Sequence, residues 1–149
     1  MTPETASYLP SGIPAPAPAG DGLDSEYWAA TARHELMVQR CNGCGRHQWG
    51  PEWVCHRCRS FDLGWATVEP RGVIYSWERI WHPVHPALAE ACPYVVVLVE
   101  LPHADGIRMV GNLLGDPTAA VPIGAEVEAM YEDHADGKVP YTLVQWRVV

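Results

Sequence analysis

The sequence predicts a mainly β protein with three parts: a short N-terminal helix, a small metal-binding ribbon and a five-stranded barrel. Three observations carry that prediction. Two C-x-x-C pairs, Cys41-Asn-Gly-Cys44 and Cys55-His-Arg-Cys58, stand ten residues apart. After residue 64 come five β-branched or aromatic runs separated by turns rich in Gly and Pro. Only the run from Glu26 to Glu35, behind Asp24 or Ser25 as N-cap, has the composition and start signal of a helix. A chain of 149 residues buries one ordinary core, and four cysteines cannot fill an interior. The ribbon is therefore an appendage on the barrel. The expected division is a flexible tail at residues 1–23, the helix at 24–36, the ribbon at 37–63 and the barrel at 64–149.

Taken in chain order, the tail is Pro-, Ala- and Gly-rich without apolar period, which suits an extended segment. The helix carries Glu26 in its first turn, where an acid meets the positive end of the dipole. So short a helix is marginal alone and must dock on the domain or on another chain. Tyr27 and Trp28 are the expected partner-interface residues, because seven tryptophans exceed what a small barrel buries and Trp is enriched at interfaces. Leu36-Met-Val-Gln-Arg40 leads as a strand into the first cysteine pair. Trp49, Gly50, Pro51 and Trp53 form the turn-rich connection to the second, with the two indoles placed to shield a metal.

The barrel strands are expected at 73–81, 94–101, 107–114, 126–131 and 141–149, the last with Thr142, Val144, Trp146 and Val148 on one face. Asp105-Gly106 is a hairpin turn, and Gly72, Gly124 and Gly137 mark others. Five strands with little helix describe a small antiparallel barrel of the OB type; an open sandwich would be poorly filled by five.

The cysteine quartet organises the chemistry. Each pair is short enough for both sulfurs to reach one ion from a tight turn, and four thiolates suit a closed tetrahedral site, zinc in preference to iron. A closed site leaves no position for water, so the Zn2+ is structural. Disulfide and redox readings fit less well: no charged-then-apolar leader opens the sequence, and neither pair follows a strand and opens a helix. His47 and His56 are expected at the surface or behind the ligands. Gly45, after the first pair, sits where a positive φ is often needed.

The net charge of −8 is uneven: residues 64–149 hold eleven acids against five bases, whereas residues 25–63 hold four acids against five. An acidic barrel repels a phosphate backbone, which argues against the single-stranded nucleic-acid module that ribbons and OB barrels otherwise suggest. Arg40, Arg46, Arg57 and Arg59 nonetheless form a local basic surface around the knuckles, able to hold a few phosphates or to meet an acidic partner. No apolar run reaches membrane-spanning length, and the expectation is a soluble, cytoplasmic protein. The loop Trp81-His82-Pro-Val-His85 to Glu90-Ala-Cys92-Pro93 holds a thiol, two imidazoles and a carboxylate. Its spacing supplies no dyad by itself, so the reading assigns no catalytic residue and takes the loop as a channel or seam lining. Asp133, His134 and Asp136 read as a solvated hairpin tip.

Residues 26–149 resemble the bacterial and archaeal proteins that join a rubredoxin-like zinc ribbon to an OB-fold. The shared pattern is Tyr27-Trp28, then Leu36-Met-Val-Gln-Arg-Cys-Asn-Gly-Cys-Gly45, Pro51, Cys55-His-Arg-Cys58 and Gly72-Val-Ile-Tyr-Ser76. It continues with Pro93-Tyr-Val-Val-Val-Leu-Val-Glu-Leu101, Ile123-Gly124 and Val139-Pro140-Tyr141. One departure is Gln48-Trp-Gly-Pro-Glu52, where that family more often has an aromatic, two prolines and an arginine. The resemblance implies a non-catalytic subunit of acyl-CoA metabolism, partner of a thiolase-like enzyme such as a thiolase or a steroid side-chain-cleaving aldolase. It would bind the CoA thioester with its partner in a heterotetramer. A hot-dog-fold enoyl-CoA hydratase is the alternative partner.

Overall fold

The computed structural model describes residue 18 and residues 22–135 and 139–149. Most of the expected tail, and Asp136 and Gly137 of the expected hairpin tip, lie outside the described residues. Helix α1 spans Ser25–Thr31 and is shorter than expected. Asp24 occupies the N-cap position, but its carboxylate accepts the Trp28 indole N–H at 2.8 Å and caps no backbone amide. The chain leaves the helix through His34, whose φ is +58°.

Three strands make the ribbon sheet: β1 (Leu36–Cys41), β2 (His47–Gln48) and β3 (Leu63–Val68), in the order β2-β1-β3. β3 pairs with β1 along its whole length, from Leu36 opposite Val68 to Cys41 opposite Leu63. β3 is thus a ribbon strand that runs, through Glu69 and Pro70 alone, straight into the barrel.

The barrel strands are β4 (Arg71–Ile80), β5 (Tyr94–Leu101), β6 (Ile107–Asn112), β7 (Glu126–His134) and β8 (Tyr141–Val148). Their order is β6-β5-β4-β7-β8, all antiparallel. A parallel contact of Leu113 with Trp146 brings the outer strands together and nearly closes the barrel, an OB-type arrangement. β4 carries a bulge between Ile74 and Ser76, the kind of extra residue that bends a strand around a small barrel.

Strand periodicity explains the core. Val95, Val97, Val99 and Leu101 of β5 alternate inward and are essentially inaccessible, meeting Ile74, Met109, Val127, Val144 and Trp146. Two glycines mark where strands approach too closely for a side chain. A Cβ on Gly72 would lie 2.5 Å from the Glu100 carbonyl oxygen, and one on Gly111 would lie 2.7 Å from the Trp146 ring. Of the expected inner face of β8, Thr142, Val144 and Trp146 are buried, but Val148 is exposed. Tyr27, Leu36 and Val38 join the same cluster, so helix, ribbon and barrel share one core.

Candidate metal centre

The two knuckles are built alike. In the first, Cys41 N–H donates to Arg46 O at 2.9 Å and Gly45 N–H to Cys41 O at 2.8 Å; in the second, Cys55 N–H donates to Ser60 O at 2.9 Å and Arg59 N–H to Cys55 O at 3.0 Å. The residue after each second cysteine is left-handed, Gly45 with φ +75° and Arg59 with φ +63°. The positive φ expected at Gly45 therefore recurs at a non-glycine position, which composition alone does not reveal.

These turns bring the four sulfurs together, all within 4.8 Å of one another. Cys41 and Cys58 are 3.5 Å apart and Cys44 and Cys55 are 3.7 Å apart, with all four thiols free. Tetrahedral zinc with Zn–S near 2.3 Å sets neighbouring sulfurs about 3.8 Å apart, so the quartet fits that ion. Electrostatics agree. The Cys58 and Arg57 backbone N–H groups hold the Cys55 thiol down at about 6. Cys58 receives the N–H of Ser60, which lowers it, but the neighbouring thiols and burial outweigh this and push it up to about 12. Four thiols this close cannot all ionise unless a cation compensates them. Cys41, Cys44, Cys55 and Cys58 would hold such an ion in a closed shell, where it braces the fold.

A buried pair of glutamines, not singled out in the sequence, fixes the connection between knuckles. Gln39 on β1 donates to Glu52 O at 2.9 Å and accepts Glu52 N–H at 3.1 Å; Gln48 on β2 accepts His56 N–H at 3.0 Å. Their side chains also bond to each other. The only sequence signal was a polar residue inside an apolar strand. Of the two indoles expected to shield the metal, Trp49 packs on Tyr27 at 4.7 Å, whereas Trp53 is 68% exposed.

The ribbon meets the barrel at Asp105. Asp105, left-handed at the β5–β6 turn, accepts both the backbone N–H and Nδ1 of His47 at 2.8 Å, and this lowers its carboxyl pKa. Beside this contact runs a cleft lined by Arg46, His47, Gln48, Trp49, Cys55, His56, Arg57, Asp105, Gly106 and Ile107.

Residues 28–64 match the family described as ChsH2, rubredoxin-like zinc ribbon domain, and residues 65–132 match ChsH2, C-terminal OB-fold domain. A solved structure titled "Ltp2-ChsH2(DUF35) aldolase" superimposes with a TM-score of 0.74 at 33% identity, covering 89% of this chain and 98% of that one. The chain belongs to the ChsH2 (DUF35) family. A DUF35 protein of unknown function from Sulfolobus solfataricus shares the fold, with TM-score 0.58 at 12% identity over 87% of each chain. A "Probable enoyl-CoA hydratase alpha subunit" of Thermomonospora curvata is 40% identical over 75% of this chain and 34% of its own length. The "3-oxo-4,17-pregnadiene-20-carboxyl-CoA hydratase alpha subunit" of Mycobacterium tuberculosis is 29% identical over 93% of this chain and 45% of its own. The chain thus spans between a third and a half of the length of these curated relatives.

Within this ChsH2-type frame the remaining sequence candidates separate. Arg46 and Arg57 line the cleft. Arg40 turns back to donate to Gly45 O at 2.9 Å, and Arg59 is the left-handed residue of its knuckle. Tyr27 is buried, with burial pushing its hydroxyl pKa up, and faces Trp49 and Trp28; Trp28 stays half-buried. The loop between β4 and β5 forms a 3-10 turn over Pro86–Ala91. There His85 Nδ1 accepts the Ala87 N–H at 3.2 Å, so that imidazole caps the turn. His134 is not a solvated tip residue: it bonds at 2.8 Å to Glu132, a carboxylate 2% exposed, and stacks on Tyr141. No described helix is long and apolar enough to cross a membrane.

Proposed function

We propose that this chain is a non-catalytic, zinc-binding OB-fold subunit that assembles with a thiolase-like acyl-CoA enzyme, an aldolase in the first instance. The observation that carries this reading is the match of 89% of this chain to 98% of a chain in the structure titled "Ltp2-ChsH2(DUF35) aldolase". In this reading Cys41, Cys44, Cys55 and Cys58 hold one structural zinc, which joins the two knuckles of the ribbon. Arg46 and Arg57 at the cleft, with Arg40 and Arg59 nearby, offer guanidinium groups to the phosphates of a CoA thioester. Trp28, half-buried on α1, is a contact for the partner. The assembly is a heterotetramer with two copies of each chain.

A second reading, supported by the names of the two curated relatives, makes the chain a companion of an enoyl-CoA hydratase, with a steroid acyl-CoA as the substrate class. Co-expression with an Ltp2-type aldolase and, separately, with a hot-dog-fold hydratase subunit, followed by sizing, decides between them. Co-elution with the aldolase is expected. Turnover of an acyl-CoA thioester by the isolated chain would overturn the non-catalytic reading.

A further inference from the structure

β5 is apolar on both of its faces. Its inward residues Val95, Val97, Val99 and Leu101 fill the core, while outward Tyr94, Val96 and Leu98 are only half-buried. A strand with this double-sided pattern ordinarily lies between two packed layers. Across the sheet, Leu98 pairs with Val110 of β6 and Ser76 of β4; Val110 is 67% exposed and neighbouring Tyr75 is 46% exposed.

The same patch ends on an open backbone edge. Leu113 N–H donates to Val95 O, so by alternation along the ladder Gly111, Met109 and Ile107 also bond to β5. The N–H and C=O groups of Asn112, Val110 and Arg108 therefore point the other way. There β8 reaches only the far end: Leu114 N–H meets Trp146 O at 2.8 Å, and the Asn112 N–H is already taken by a side chain, Gln145, at 2.8 Å. Among the described residues nothing pairs with the outward backbone groups of Arg108 or Val110. Edge strands are commonly guarded by a charged side chain. Here the Arg108 guanidinium lies 3.5 Å from the centre of the Tyr75 ring and bonds to Glu100 at 2.9 Å, so its charge is drawn over the sheet face and away from the edge.

We propose that β6 is a docking edge on which the catalytic companion lays an extended segment. That segment pairs with the backbone of Arg108 and Val110 and packs an apolar side chain over Leu98 and Val110. The inference rests on the companion reading given above. Charge selects the occupant: the barrel carries eleven acids against five bases, so a second copy would bring like charge against like, whereas a neutral or basic segment is complementary. The solved relative, one chain of a two-protein aldolase, supplies the companion.

The test uses the full-length zinc-loaded chain and the Ltp2 aldolase chain of that relative as probe. Val110→Pro removes an N–H that faces the open edge and leaves the bonds of Met109 and Gly111 to β5 in place. The variant should keep its zinc and its far-ultraviolet spectrum and bind the aldolase about tenfold or more weakly. Hydrogen exchange on the wild-type chain gives a readout independent of the variant's folding: the Arg108 and Val110 amides should exchange rapidly in the free chain and become protected in the complex. Complex formation that leaves both amides unprotected, or unchanged binding by Val110→Pro, would overturn the docking edge alone. Protection already present in the free chain, and lost on dilution or on deletion of residues 1–21, would identify a second copy or the chain's own N-terminal segment as occupant and overturn it too. Failure of the wild-type chain to bind the aldolase would count against the companion reading, and the docking edge would fall with it.

Discussion

Gly111→Ala probes the seam that closes the barrel. A Cβ at this position would lie 2.7 Å from Trp146 Cδ1, 2.9 Å from its Nε1 and 3.0 Å from the Val144 carbonyl oxygen. None of these atoms can retreat cheaply: Trp146 is fully buried, and the Val144 oxygen belongs to a strand backbone. Relief requires β6 and β8 to part, which weakens the contact of Leu113 with Trp146 and the Leu114 N–H bond to Trp146 O. Overpacking of a tight interior costs about 1–3 kcal/mol. The lower unfolded-state entropy of Ala gives back roughly 0.4–1 kcal/mol. A net loss of about 1–2 kcal/mol remains, which for a domain of this length lowers Tm by roughly 2–8 °C. Thermal unfolding followed by circular dichroism reads the shift. Gly64→Ala is the contrast: its Cβ would meet only the end of the Asn42 side chain, at 2.9 Å, which can swing away from its bond to Asp62. A Gly111→Ala protein as heat-stable as wild type, or one indistinguishable from Gly64→Ala, would refute this account of barrel closure.

Other perturbations address the ribbon and the polar contacts. Cys58→Ser should lose zinc to a mild chelator under conditions where wild type retains it. Structural sites of this kind contribute about 10–16 kcal/mol of binding energy to folding, so one ligand in four is worth roughly 3 kcal/mol, measurable by metal analysis and by chelator titration. His134→Ala removes the donor 2.8 Å from the buried Glu132 carboxylate and leaves it the bond from Gln145; urea unfolding should show a loss of about 1–3 kcal/mol. Asp105→Asn tests the ribbon–barrel contact through pH. The His47 backbone N–H, then its imidazole, hold the Asp105 carboxyl below its ordinary range, so the unfolded chain binds more protons in the interval between the two values. The stabilisation is complete above the unfolded value, about 3.9, and is lost as pH falls through the lower folded value. The variant should therefore lose part of the acid slope of stability below about pH 4.

Much of this architecture is legible in the sequence because its signals are local. The C-x-x-C pairs carry their own turn geometry, the apolar run 94–101 marks a core strand, and alternation of Thr142, Val144 and Trp146 marks the inward face of the last one. The difficulties arise where distant residues decide. The strand at Leu63–Val68 is not among the expected strands, because nothing nearby shows that Leu36–Cys41 is its neighbour. The helix ends at Thr31 because His34 and the start of β1 must turn toward the barrel, where His34 stacks on Tyr131 and bonds to Asp133 at 3.0 Å. Trp49 and Trp53 are alike in sequence and opposite in fate, since only Trp49 has Tyr27 to pack on. The buried Glu132, not singled out in the sequence, is accommodated by His134 and by Gln145 across the hairpin, partners two and thirteen residues away.

The claim on which the rest depends is that four cysteine sulfurs enclose one zinc and brace the two knuckles of the ribbon against each other. Native mass spectrometry with zinc-edge X-ray absorption on the purified, folded chain tests it most directly. The account predicts one zinc per chain, surrounded by four sulfurs at about 2.3 Å. A folded, metal-free protein whose cysteines prove to be disulfide-bonded or freely titratable would contradict it.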